Sequence, residues 1–197
     1  NFGVAVGSRR VLLLGAGGIT IPLREEGDAF AVAPATLGPQ TFYGAAGIIP
    51  PITMDSLDVT PQLIGGRLGE YLKLRDQTLP RYQAELDIGA SELADRFRAE
   101  GLRLFTDAAG AVPDPNGAYP GSTQLGFAGR IQVNASVRAD VRLLRDGTET
   151  ITGTPGFTPN PTTGPAGFTL LIDRIIQNSF GETASSGTSW GGFTTSG

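Results

Sequence analysis

A chain of 197 residues with Gly 29 and Pro 14 has the length of one domain or two small ones and the composition of a packed protein rich in turns. The absence of Cys and His removes disulfides, thiolate or imidazole zinc sites, cysteine nucleophiles and every histidine-based acid–base mechanism, while a carboxylate-only metal site or an Asp/Glu acid–base pair stays open. A net charge of −4, with Lys73 the single lysine and fourteen scattered arginines, argues against a nucleic-acid surface, and no apolar run approaches the roughly 20 residues of a membrane span.

The start, Asn1-Phe2-Gly3, carries no initiator Met, basic region or apolar leader, and reads as a point inside a longer protein. Residues 1–62 read as a β-rich lobe. Val4/Val6, Val11 to Leu14, Ile19/Ile21/Leu23 and Phe30/Val32 are short β-branched or apolar stretches set between Gly- and Asp-containing turns. Ile52 to Val59 reads as one further strand. Small antiparallel hairpins fit this spacing best.

The character changes at Gly65-Gly66. Between Arg67 and Glu100 apolar residues fall at Leu68, Leu72, Leu79, Tyr82, Leu86, Leu93 and Phe97, at intervals of 4, 7, 3, 4, 7 and 4. That is a 3.5-residue repeat, and it predicts a helix over 67–100, about 50 Å long at 1.5 Å per residue. Pro80 lacks an amide proton and clashes with the Asp76 carbonyl, which predicts a kink or break near Thr78. Gly101 supplies a stop. These seven residues form a structural packing seam, read either as the core face of a bundle or as a surface completed by other segments or subunits. On either reading Leu86→Asp is expected to bury an unpaired carboxylate and unfold the helical section.

Beyond it, 107–126 is a loop built on Asp114-Pro115-Asn116-Gly117 turn chemistry, and Arg130 to Val133 is a short strand. Asn134 is placed to cap a short helix over 136–144. Phe168, Leu171, Ile172, Ile175, Ile176 and Phe180 mark one apolar face of a helix over 168–180. The sequence thus predicts an α+β protein: a β lobe (1–62), a helical section with intervening loops (63–182) and an extended Ser/Thr/Gly tail (183–197).

Three motifs invite chemistry. Val11 to Gly18 opens like a dinucleotide-binding strand and turn, but Ile19-Thr20-Ile21-Pro22 continues as strand, so no helix N-terminus is available for a pyrophosphate and a hairpin turn is the better reading. Asp107, Asp114 and Asn116 supply oxygens without calcium-loop spacing, and read as turn residues. Glu85, Asp87, Glu92 and Asp95, beside Arg81, Arg96 and Arg98, read as a solvated, salt-bridged helix face. Asn134-Ala135-Ser136 matches a glycosylation acceptor, a pattern common by chance.

The run Gly65-Gly66-Arg67-Leu68-Gly69-Glu70-Tyr71-Leu72-Lys73-Leu74-Arg75-Asp76, then Leu79-Pro80 and Tyr82 to Asp87, resembles the central region of the flagellar hook-associated protein 1 family, whose members join hook to filament in bacterial flagella. Leu93 to Phe97, Leu104-Phe105 and Arg130 to Asp140 continue the likeness, with Ala135 where the family typically has proline. The resemblance implies an architectural role: no catalytic, cofactor-binding or metal-ligating residues and no cofactor. It implies a homo-oligomeric ring in the full-length protein, contacts with hook protein and the second junction protein, and export to the cell exterior through the flagellar channel without a cleaved signal peptide. The alternatives are another flagellin-like axial protein, an extracellular adhesion or carbohydrate-interacting module, and a carboxylate enzyme with two converging acids.

Overall fold

The computed structural model describes residues 3–7, 10–14, 17–21, 28–39, 41, 43–44, 49–119, 121–180, 189–190 and 193–194. It is α+β and divides into two compact units, residues 1–82 and 83–197, so the division falls inside the long helix and beyond the composition change at Gly65-Gly66.

In the first unit, β1 (Gly3–Gly7), β2 (Arg10–Leu14) and β3 (Thr20–Ile21) form an antiparallel sheet in that order. The register pairs Val4 with Leu13 and Leu13 with Ile21. Thr20 and Ile21 continue as strand, as their alternation predicts, and the Gly-rich segment before them leads into no helix. At Gly17 a Cβ would overlap the Gln62 carbonyl, so close backbone packing accounts for a glycine there. A second antiparallel sheet joins β4 (Ala31–Val32), β5 (Ile52–Met54) and β6 (Leu57–Asp58). The segment predicted as one strand over 52–59 is therefore a hairpin. Asp55 and Ser56 take positive φ of 50° and 67°, the geometry of a tight two-residue turn, and Asp and Ser tolerate it where a β-branched residue would not. Leu23 lies outside the described residues.

The long helix starts at Gly66 and ends at Ala99: α1 (Gly66–Lys73), a π-type turn (Leu74–Thr78) and α2 (Leu79–Ala99). The kink or break expected near Thr78 takes the form of this widened turn, and the helix continues through it. The Leu79 amide reaches back to the Leu74 carbonyl, and the widened turn ends immediately before Pro80. A widened turn gives the proline ring the room that a regular helix denies it. Gly101 ends the helix at φ +103°; its amide bonds Arg98 and the Leu102 amide bonds Phe97 at 3.0 Å, while Leu102 and Phe97 join the same core.

In the second unit β7 (Phe105–Thr106) pairs antiparallel with β8 (Gln132–Val133). Asn134 caps α3 (Ala135–Ala139) by accepting from the Ser136 amide. The single helix predicted over 136–144 is two: Asp140 turns to extended backbone and its carboxylate takes the Arg142 amide at 3.1 Å, which restarts the chain into α4 (Leu143–Asp146). Residues 170–179 form α5 (Leu170–Arg174) followed by a second π-type turn (Ile175–Ser179). Of the predicted tail, the described residues form β9 (Ser189–Trp190) and β10 (Phe193–Thr194), an antiparallel pair.

The main core of this unit is Phe97, Leu102, Val137, Phe157, Leu171 and Ile175. Phe97 meets Phe105 edge to face, with ring centroids 5.4 Å apart. A smaller cluster holds Ala84, Ile88 and Tyr119. On the predicted 168–180 face, Leu171 and Ile175 are buried, whereas Ile172, Ile176 and Phe180 are exposed. Arg174 crosses from α5 to Glu100 with a 2.9 Å ion pair, fixing α5 beside the end of α2.

Candidate packing surface on the long helix

Of the seven residues in the predicted seam, two are buried: Leu72 in the first unit and Phe97 in the second. Leu68, Leu79 and Tyr82 in the first unit, and Leu86 and Leu93 in the second, are exposed, Leu86 by 64%. Tyr71 and Leu74 add to the apolar surface of the first unit. Within this chain the seam is therefore not a core face, and the Leu86→Asp expectation is corrected: a carboxylate there enters solvent.

The face that α2 buries in the second unit consists of Ala84, Asp87, Ile88, Ser91, Ala94 and Phe97. On a 3.6-residue helix Ala84, Asp87, Ile88 and Ser91 lie on the side away from Leu86 and Leu93, whereas Phe97 falls on the leucine stripe and is buried at its C-terminal end. Ala84 and Ile88 pack against Tyr119 of the loop that follows β7, and the Ser91 hydroxyl donates to the Asp87 carbonyl at 2.8 Å.

Asp87 fastens that loop. It is fully buried and accepts four hydrogen bonds: from the Tyr119 hydroxyl at 2.5 Å, the Gly126 amide at 2.6 Å, the Ala128 amide at 2.8 Å and the Gln83 side-chain amide at 2.9 Å. Burial, and then the Asp87 carboxylate beside it, push the Tyr119 hydroxyl well above its usual range, so it remains a donor. Asp87 thus departs from the solvated face predicted for Glu85, Asp87, Glu92 and Asp95. Glu92 does sit 4.0 Å from Arg96, and Asp95 binds Arg98 at 2.5 Å, one turn on.

The other candidates resolve into turns. Asp107 accepts from the amides of Ala109 and Ala111, and Asp114 from that of Asn116, each at 2.9 Å. Among the described residues no group of three or more acids is placed to hold a metal ion. The Asn134 side chain is occupied by the Ser136 amide and by the Arg103 carbonyl at 3.0 Å. A second fastening lies at Asp146, which receives Arg145 at 2.7 Å and the Asn160 amide at 2.8 Å. The Arg145 guanidinium, and after it Asn160, hold this carboxyl at about 2, below its ordinary 3.8.

The first unit contains an open cleft of about 460 Å³, with Tyr43, Leu63, Leu72, Lys73 and Gln77 among its walls. Its polar groups are partly engaged elsewhere: the Tyr43 hydroxyl donates to Asp58 at 2.5 Å, and Asp76 is paired with Arg75 at 2.5 Å.

No helix among the described residues is long and apolar enough to cross a membrane. Comparison with known proteins finds no family model that matches the chain, and no curated protein or solved structure similar to it. What distinguishes the second-unit part of the long helix is that Leu86 and Leu93 are exposed while Ala84, Ser91 and Ala94 are buried.

Proposed function

We propose that this chain is an architectural part of the bacterial flagellum, forming the junction between hook and filament by packing against neighbouring subunits. The carrying observation is the exposure of Leu68, Leu79 and Tyr82 on the helix of the first unit and, separately, of Leu86 and Leu93 on that of the second, at positions of a near-heptad repeat in the sequence. Isolated exposed leucines are ordinary on a protein surface, but a repeat of them along a helix is a pattern that packing against another helix uses. The second support is the likeness of 65–87 and 130–140 to the hook-associated family. In this reading the β-rich segments face outward, the helical surfaces carry subunit contacts, and the protein acts outside the cell, with hook protein and the second junction protein as neighbours.

The test is genetic and microscopic. Deleting the gene should leave cells with hooks but without attached filaments, and the parent sequence should restore swimming. Restoration should fail with Leu86→Asp combined with Leu93→Asp, although the variant protein accumulates and folds. Normal filaments in the deletion strain would sink the proposal. Hooks and junctions that persist while only the filament is missing would instead point to a flagellin-like subunit.

A further inference from the structure

Asn116-Gly117 lies in the turn that begins at Asp114, within the loop that Asp87 fastens. We infer that Asn116 is a spontaneous modification site of this chain, and that its conversion unfastens the turn from the buried Gln124 side chain.

The chemistry needs only water and an accessible main-chain nitrogen. The Gly117 amide nitrogen attacks Asn116 Cγ; the new N–Cγ bond forms, the Cγ–Nδ2 bond breaks, and Nδ2 leaves as ammonia with the proton lost by the Gly117 nitrogen. Water then adds to one of the two imide carbonyls and breaks a C–N bond there. Opening on one side gives aspartate; opening on the other gives isoaspartate, with one extra methylene in the main chain.

The surroundings select Asn116 from the other described asparagines. Its side chain is exposed, Nδ2 has among the described residues only Asp114 Oδ1 at 3.3 Å, and the Gly117 amide has a long 3.4 Å bond to the Asp114 carbonyl. Glycine places no Cβ beside the attacking nitrogen. Asn160 is buried, bonded to Asp146, and followed by Pro161, whose nitrogen has no proton to lose. Asn134 is held at both ends of its amide as a helix cap. Asn178 sits within the helical turn Ile175–Ser179 with Nδ2 on Glu100 at 2.9 Å, where helical backbone keeps the next nitrogen away from Cγ.

The consequence follows from Gln124. It is fully buried, and its Nε2 donates to the carbonyls of Asp114 at 2.8 Å and Gly117 at 3.0 Å, one on each side of Asn116. An added methylene between those two acceptors, together with a second carboxylate beside Asp114, prevents both bonds from being kept. Gln124 Oε1 already has no hydrogen-bond partner among the described residues, so this buried amide has little to fall back on.

The experiment is incubation of the chain at mildly alkaline pH, with peptide mapping by mass spectrometry and a chemical isoaspartate assay, beside the same chain unfolded in urea. Expected is a gain of about one dalton confined to the peptide holding Asn116, with ammonia released. Asn116→Ala should abolish the gain. Gly117→Ala should slow it severalfold without refolding the turn, because a Cβ there meets its nearest atoms at 3.6 and 3.9 Å, ordinary contacts. Amide exchange over 113–126 should quicken in the converted chain. The site assignment is overturned if the folded chain leaves Asn116 intact while the urea-unfolded chain converts it, or if Asn134, Asn160 or Asn178 converts as fast. Unchanged exchange in the converted chain overturns the coupling to Gln124.

Discussion

Around Asp87 the two sides of α2 in the second unit differ in more than size, although Ile88 and Phe97 are buried in the usual way. Ala84, Ser91 and Ala94 are buried, whereas Leu86 and Leu93 are exposed. Inside, Ala84 and Ile88 pack against Tyr119 of the loop, and hydrogen bonds to Asp87 hold it there. Outside, each leucine carries area that burial would make worth roughly 1.5–3 kcal/mol, a gain this chain alone leaves unused. The lesson is that a repeat of large apolar residues locates a surface suited to packing, without saying whether the same chain supplies the partner.

The largest effect should come from the inner face. Asp87→Ala leaves the Tyr119 hydroxyl, two backbone amides and the Gln83 amide without their acceptor, and should lower stability on the order of 4 kcal/mol in denaturant titration. A loss below about 1 kcal/mol would mean that the loop is held by other contacts. Ala94→Leu, which adds volume where exposure is 0%, should cost about 1–3 kcal/mol by overpacking. If it stabilises the chain instead, the inner face is not closely packed.

Smaller again is an acid-dependent loss at the other fastening. The folded Asp146 carboxyl sits at about 2 against an ordinary 3.8, so its contribution is complete above the higher value and disappears as pH falls through the lower one. Stability of the parent should therefore fall towards that of Asp146→Asn across this window. Parallel curves would remove the inferred interaction. The outer face gives the smallest change: Leu86→Asp or Leu93→Asp should alter the stability of the isolated chain by no more than about 0.5 kcal/mol. A large loss from either would show that the leucines are covered after all, and would restore the core reading.

Much of the local structure was legible. Val4 to Leu14, the helix over 67–100, the stop at Gly101 and the cap at Asn134 rest on signals a few residues long, and each has a counterpart in the structure within a residue or two. The hairpin at Asp55-Ser56 was missed because two polar residues inside an apolar run carry a weaker turn signal than Asn-Gly. Asp87 was missed for a different reason. Arginines three or four residues from its neighbours made the whole acidic set look solvated, while three of its four donors lie 32 to 41 residues away and two of those are main-chain amides, which have no letter in the sequence. The available hint was the company Asp87 keeps: Ala84, Ser91 and Ala94 share its side of the helix, and an acid among small residues is placed for close approach. The outward direction of Leu86 and Leu93 had no signal, since a spacing of seven fits an inner and an outer stripe equally.

The Asp87 fastening also divides tolerance to substitution unevenly between its ends. On the helix it is written in one side chain, which no other residue type reproduces. On the loop, Ala128 contributes only an amide proton, so many residues can stand there and proline is the one barred outright. Gly126 is narrower, because its φ of +73° favours glycine or asparagine. Tyr119 is fixed as the helix aspartate is, because its bond comes from the side chain, so tolerance within the loop differs position by position.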